Sequence, residues 1–187
     1  MTIELSLTSG TLIEFGYGKV IKGKEMQVFQ EYFPLINPVL EECGIQSLTS
    51  FIILATNSPS PVPEQGALTH VPSTENFARF HNDPRFIKAK PLRDDAMEFI
   101  TSGNFFRSIN KVVTLDTDAD YALILSGDNP LNSNPLLELS AAEDSLEQTY
   151  AGKSMTLHLW NNEAEQLMGI SSTETVVFQI RFNPSNA

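Results

Sequence analysis

His81, Asp83, Arg85 and Arg93 gather around two helix starts. A histidine beside a carboxylate and guanidinium groups is an arrangement that can polarise a small acidic substrate. The same residues have plain structural uses. Asp83 can cap the helix that Pro84 begins, and Arg93 can pair with Asp94, Asp95 or a backbone carbonyl. His70 shares a face of an alternating stretch with Leu68, opposite Thr69 and Val71, so it can point into the interior of the fold, where its protonation would matter. It can equally be a half-exposed strand histidine bonded to a neighbour, and His158 reads the same way.

Other chemistries find no pattern. The histidines His70, His81 and His158 have no partner histidine at helical spacing and no HExxH-type motif, so no metal site is expected. No nucleophile triad, phosphate loop or CxxC pair occurs, no cofactor is expected, and no catalytic residue is identifiable. Gly16-Tyr17-Gly18 lies mid-strand without the third glycine and helix start of a dinucleotide fingerprint; it marks a bulge or a close backbone approach. Cys43, the single cysteine, excludes an internal disulfide and reads as an inert buried thiol.

The elements that must position these residues follow from periodicity. Residues 11–20 (TLIEFGYGKV) read as a first strand. Met26, Phe29, Phe33, Ile36, Leu40 and Cys43 recur at spacings of three and four and line one helix face, kinked or broken by Pro34 and Pro38 and stopped by Gly44. Residues 45–55 and 67–71 are strands, separated by a Pro- and Ser-rich loop at 57–63. Ser73 and Asp83 are N-caps of two helices with Phe77 and Phe80 facing inward, and Pro91 breaks or restarts the second before a helical run through Phe99 and Ile100 to Gly103. Residues 105–115 alternate as a final strand. The order is βαββαβ, with an acidic junction at 116–120.

Beyond it, residues 121–126, 154–160 and 175–182 read as strands and 161–168 as a short acidic helix. Residues 135–151 keep helical spacing, although 136–139 can equally be a short strand, and the tail 183–187 is expected to fray. Thr156-Leu157-His158-Leu159 before an acidic helix echoes Leu68-Thr69-His70-Val71 before 73–82, which suggests a diverged repeat.

The 187 residues are 41% hydrophobic and 19% charged, within the globular range. The formal charge of −11 repels phosphate backbones and anionic lipid, so neither nucleic acid nor membrane is an expected partner. No apolar run reaches membrane-spanning length, and the opening residues lack a secretory pattern, so the chain reads as cytoplasmic.

The stretch Val71-Pro72-Ser73 through Phe77-Ala78-Arg79-Phe80-His81-Asn82-Asp83-Pro84-Arg85-Phe86, continuing to Pro91-Leu92-Arg93, resembles an uncharacterised family of the dimeric α/β-barrel superfamily. Residues 38–48 (PVLEECGIQSL) also resemble that family's first helix end, and the resemblance spans about 10–115. It implies a ferredoxin-like fold and sheets packed face to face, with no settled activity. His81 stands where a tyrosine is usual, Asp83 where a small hydroxyl residue is, and Arg85 in place of an acid, which alters the charge at that helix junction. Arg93 sits in the best-matched motif and is therefore the first choice for a binding residue, anchoring a carboxylate, enolate or ring oxygen.

These readings combine into an α+β protein: a ferredoxin-like βαββαβ domain at 1–118, and a smaller α/β part at 119–187 that completes a dimeric-α/β-barrel-like pseudo-dimer. If the second part closes the barrel, the chain is a monomer; if it only decorates the first, the open sheet face should drive self-association. The expected function is small-molecule binding or a structural role, with Arg93, His81, Arg85 and His70 as candidate ligand-binding residues. The alternative is a cofactor-independent monooxygenase or isomerase acting on a small acidic or aromatic substrate.

Overall fold

The computed structural model describes residues 1–59, 61–143, 146, 149–170 and 172–184. Strand β1 (Thr2–Leu7) and the long β2 (Leu12–Val20) lead into a π-helical segment, Gln27–Tyr32, that continues as α1 (Phe33–Glu42). Strands β3 (Gln46–Thr56) and β4 (Gln65–Val71) precede α2 (Thr74–His81), α3 (Pro84–Ala96) and the short strands β5 (Met97–Thr101) and β6 (Phe105–Arg107). Then come β7 (Lys111–Asp116), β8 (Tyr121–Ser126), β9 (Leu137–Leu139), β10 (Ser154–Leu159), α4 (Asn162–Met168) and β11 (Val176–Phe182). The fold is α+β, and no helix among the described residues is long and apolar enough to cross a membrane.

Every strand pair is antiparallel. β1 and β7 form a two-stranded ribbon, and the rest form a nine-stranded sheet in the order β5-β2-β4-β3-β11-β8-β10-β9, with β6 also on β2. Strands from both parts of the chain thus share one sheet, joined where β11 pairs with β3, instead of forming two separate stacked sheets. The far end returns to the start. Phe106 bridges Ala141, Arg107 N–H donates to the Ser140 carbonyl and Ala142 N–H to the Phe105 carbonyl, so the hydrogen-bonded path closes on itself through β6.

Strand side chains alternate between two environments. Phe15, Phe51, Leu68, Leu123 and Phe178 point to one face and form the largest core, which the ribbon completes with Leu5 and Leu115. On the other face, Leu12, Val71 and Phe105 meet Tyr32, Ile36, Val39, Phe77, Phe80 and Phe86 of the helical layer. In the later part of the chain, Ala122, Ile124 and Val177 meet Ala164 and Leu131.

Several sequence expectations change. The helix entering α1 buries Val28, Tyr32, Ile36 and Val39, while Met26, Phe29 and Phe33 are exposed. Its face is rotated because Pro34 and Pro38 lack the N–H groups of a regular ladder, and the chain answers with a widened turn in which Phe33 N–H reaches the Val28 carbonyl. Helix α3 runs through Pro91 but ends at Ala96, and Met97–Thr101 is a strand although Phe99 and Ile100 continue the helical spacing. The expected strand at 105–115 is two strands in different sheets. Leu137–Leu139 is a strand, so 135–151 is not one helix; residues 144, 145, 147 and 148 lie outside the described set. Of the tail, Asn183 is tied to Ser50 by two hydrogen bonds of 2.9 Å, and 185–187 are not described.

Candidate functional site

Along β2, Ile13, Phe15 and Tyr17 fill the large core, so Glu14, Gly16 and Gly18 face the helices. Their neighbours on that face are also small or polar: Thr69 lies opposite Glu14, Ala67 opposite Gly16, and Ser47 and Ser50 follow on β3. Such side chains cannot reach the helical layer. What remains is a cavity of about 360 Å³, within the range that holds a small molecule. The helices complete it with Val28, Tyr32, Ile36, Phe77, Phe80, His81 and Arg93, and Phe29 and Phe33 stack with ring centres 5.9 Å apart beside it. Phe29 is about half exposed and Phe33 about a third, so an apolar rim faces solvent.

The glycines are needed where backbones crowd. A Cβ on Gly18 would lie 2.6 Å from the Phe99 carbonyl oxygen and 2.9 Å from Met97 Cε, and the β2–β5 register slips at Lys19/Val20. The Gly-Tyr-Gly stretch is therefore a close backbone approach, as its position in the sequence implies.

Glu14 is the unexpected residue. It is buried in the middle of a strand, and Gly103 N–H donates to its Oε1 at 2.8 Å. Burial pushes its carboxyl up to about 7, only partly opposed by that one hydrogen bond. No cation among the described residues offsets the burial. Tyr32, supplied by the π-helical segment, is also raised by burial, with the Arg93 guanidinium pulling it back and Asp94 and Glu14 adding smaller upward pushes. Burial lowers His81, and the positive charges of Arg93 and Lys90 add to the effect, so its imidazole is neutral at neutral pH. Its ring packs 4.4 Å from Phe77 and 4.8 Å from Phe86, centre to centre.

The four candidate binding residues separate. Arg93 and His81 line the cavity. Arg93 is nearly buried, donates from Nε and Nη2 to Asp94 at 3.0 and 2.7 Å, and lies over the Phe86 ring. Arg85 faces away, held at the surface by Glu42 at 2.6 Å and Asp83 at 2.9 Å. Asp83 caps α3 through Arg85 N–H, and Ser73 caps α2 through Asn76 N–H. His70 pairs across the sheet with Ile13 and so points to the core face, where its Nδ1 is buried without a hydrogen-bond partner. His158 pairs with Ala122 and points to the opposite, helix-covered face, with Nδ1 3.2 Å from Ser133 Oγ. The echo between the two histidine-containing strands therefore does not place the histidines equivalently.

No family model matches this chain, and no curated protein matches it. The reading of the site rests on its own chemistry. Cys43 is buried, with the Arg79 Nε 3.4 Å from its sulfur, and it lies outside the residues that line the cavity. Glu14 and Tyr32 escape a motif search because neither belongs to a recognisable spacing. The available signal is a lone carboxylate between Ile13 and Phe15 in an apolar strand, followed by two glycines on its own face.

Proposed function

We propose that this chain binds a small, largely apolar, ring-sized molecule carrying a neutral oxygen function, in the cavity between the helices and β2, β3 and β4. The observation that carries the reading is the cavity itself, apolar at its rim and walls, with Glu14, Tyr32, His81 and Arg93 among its polar lining. A few polar groups in an apolar enclosure orient a ligand without contributing most of its binding free energy. A neutral carbonyl or hydroxyl suits the site better than a carboxylate, because Arg93 is already paired with Asp94 and Glu14 brings a further acid.

The fold reading that accompanies this is a ferredoxin-like tandem. Counting β2, β3, β4 and β5 as one to four, their spatial order is four-one-three-two, and β8, β9, β10 and β11 repeat it. That order, with α2 and α3 before β5 and α4 before β11, supports a pseudo-dimer of the dimeric α/β-barrel kind, related to the uncharacterised family the sequence resembles. Closure through β6 supports a monomer. A second reading, a cofactor-independent enzyme of the isomerase or monooxygenase kind, is favoured by Glu14.

Phenylacetone and phenylacetate, titrated into the isotope-labelled protein and followed by amide NMR shifts, test the binding reading. Saturable shifts at Gly16, Gly18 and Thr69 with phenylacetone, weaker with phenylacetate at neutral pH and lost in Ala67→Phe, are expected. Shifts elsewhere, or none, overturn it.

A further inference from the structure

A carboxylate is positioned in this cavity as a reacting group would be. Glu14 is anchored from both sides of its strand, opposite Thr69 on β4 and Phe105 on β6. Its Oε1 is fixed by Gly103 N–H, a donor presented by a backbone at φ 83°, which L side chains rarely adopt. Among the described residues, Gly103 is the single hydrogen-bond donor to this carboxylate, and it acts on Oε1. Tyr32 and Arg93 approach from the helical layer, and the neutral His81 stands beside Arg93. The strands around Glu14 add only uncharged groups such as Ser47, Thr69 and Thr101.

We infer that Glu14 transfers protons to and from carbon on a bound carbonyl compound, with Tyr32 and Arg93 holding the carbonyl oxygen. The inference rests on the binding reading above. Oε2 takes a proton from the carbon next to the carbonyl. The C–H electron pair becomes the C=C bond of an enolate, the carbonyl π pair moves to oxygen, and Glu14 becomes a neutral acid. In the return step Glu14 gives the proton back, to the same carbon or, in a conjugated substrate, to a more distant one. The first outcome is exchange and the second is isomerisation, and neither consumes an oxidant, a reductant or a second substrate. A hydroxyl and a guanidinium at the oxygen stabilise the charge where it develops. A base whose acidity lies near working pH does this work best, which is where burial puts Glu14.

The test follows deuterium entering the carbon positions beside the carbonyl of phenylacetone, by proton NMR in deuterium oxide, with the full chain. Exchange about a hundredfold above buffer, saturable in phenylacetone and rising with pH through about 7, is expected. Glu14→Gln, which keeps the oxygen that accepts from Gly103, should lose the exchange, with the amide shifts of Gly16, Gly18 and Thr69 reporting phenylacetone occupancy in the same samples. Phenylacetone bound without enhanced exchange, or exchange retained in Glu14→Gln, overturns the proton-transfer assignment and leaves the binding reading standing. Absence of saturable binding to the wild-type chain overturns both.

Discussion

The helix-facing surface of the sheet is built in two ways within one molecule. Across β2, β4 and β3, Leu12 and Val71 meet the helices, but Glu14, Gly16, Gly18, Ala67, Thr69, Ser47 and Ser50 on the same face do not fill the space, and a cavity lies above them. Across β8 and β11 they are Ala122, Ile124 and Val177, which meet Ala164 and Leu131 with Trp160, Leu167 and Met168 packed around them. The first surface is covered by the π-helical segment, α1, α2 and α3; the second has α4 alone. A larger helical layer over smaller strand residues leaves space, whereas the smaller cover meets Ile124 and Val177 directly. Side-chain volume at alternate strand positions therefore decides where this cavity forms.

The polar residues sharpen the contrast. His158 in the filled half is buried, and burial lowers its imidazole, with Glu138 and Glu163 pulling the other way. Its Nε2 has no partner among the described residues, and it faces packed side chains. Glu14 in the open half faces the cavity. Burial raises both halves' electrostatic cost, but in the first half alone is the group placed where a ligand can meet it.

Four substitutions would break or sharpen this comparison. The largest effect is expected from Ile124→Ala, which should destabilise the filled half by about 2–5 kcal/mol while leaving phenylacetone binding unchanged, measured by urea unfolding and NMR. Glu14→Gln comes next. The folded carboxyl is raised from 4.5 to about 7, so the folded state holds this proton more tightly than the unfolded chain. Its stabilising contribution is complete below the unfolded value and is lost as pH rises through the folded one. Wild-type stability should fall by up to roughly 3 kcal/mol between those limits, and the variant should lack that slope in urea unfolding across the same pH range. The smallest expected effect comes from filling rather than emptying. Ala122→Phe should cost about 1–3 kcal/mol by overpacking, whereas Ala67→Phe enters open space and should cost less while abolishing binding. Equal costs would mean that the two surfaces are packed alike.

Much of the fold is legible in the sequence because alternation and caps act locally. Strands β2, β3, β4, β8, β10 and β11 follow from alternating or dense apolar runs, and Ser73 and Asp83 cap as their hydroxyl and carboxylate imply. The misreadings arise where two periods coincide. Ala96, Phe99 and Ile100 fit a helix as well as a strand, and only pairing with β2 decides for β5. Nothing between Phe105 and Leu115 resembles a turn residue cluster strong enough to signal the break at Ser108–Asn110, which sends β6 and β7 to different sheets. The helical face near Phe29 was unreadable because the π turn changes the period itself. In the site, Arg93 and His81 were legible as cation and imidazole near helix termini. Glu14 was hidden because its role depends on what the facing strands lack, and that becomes visible only when Ala67, Thr69 and Ser47 are set beside it.

Direct titration of the Glu14 side-chain carboxyl by carbon-13 NMR tests the central claim, an unpaired carboxylate facing a ligand-sized cavity. A midpoint near 7 is expected, moving when phenylacetone is added. A midpoint at the ordinary glutamate value of about 4.3, unmoved by phenylacetone, would contradict it, because the group would then be solvated or ion-paired and remote from any ligand.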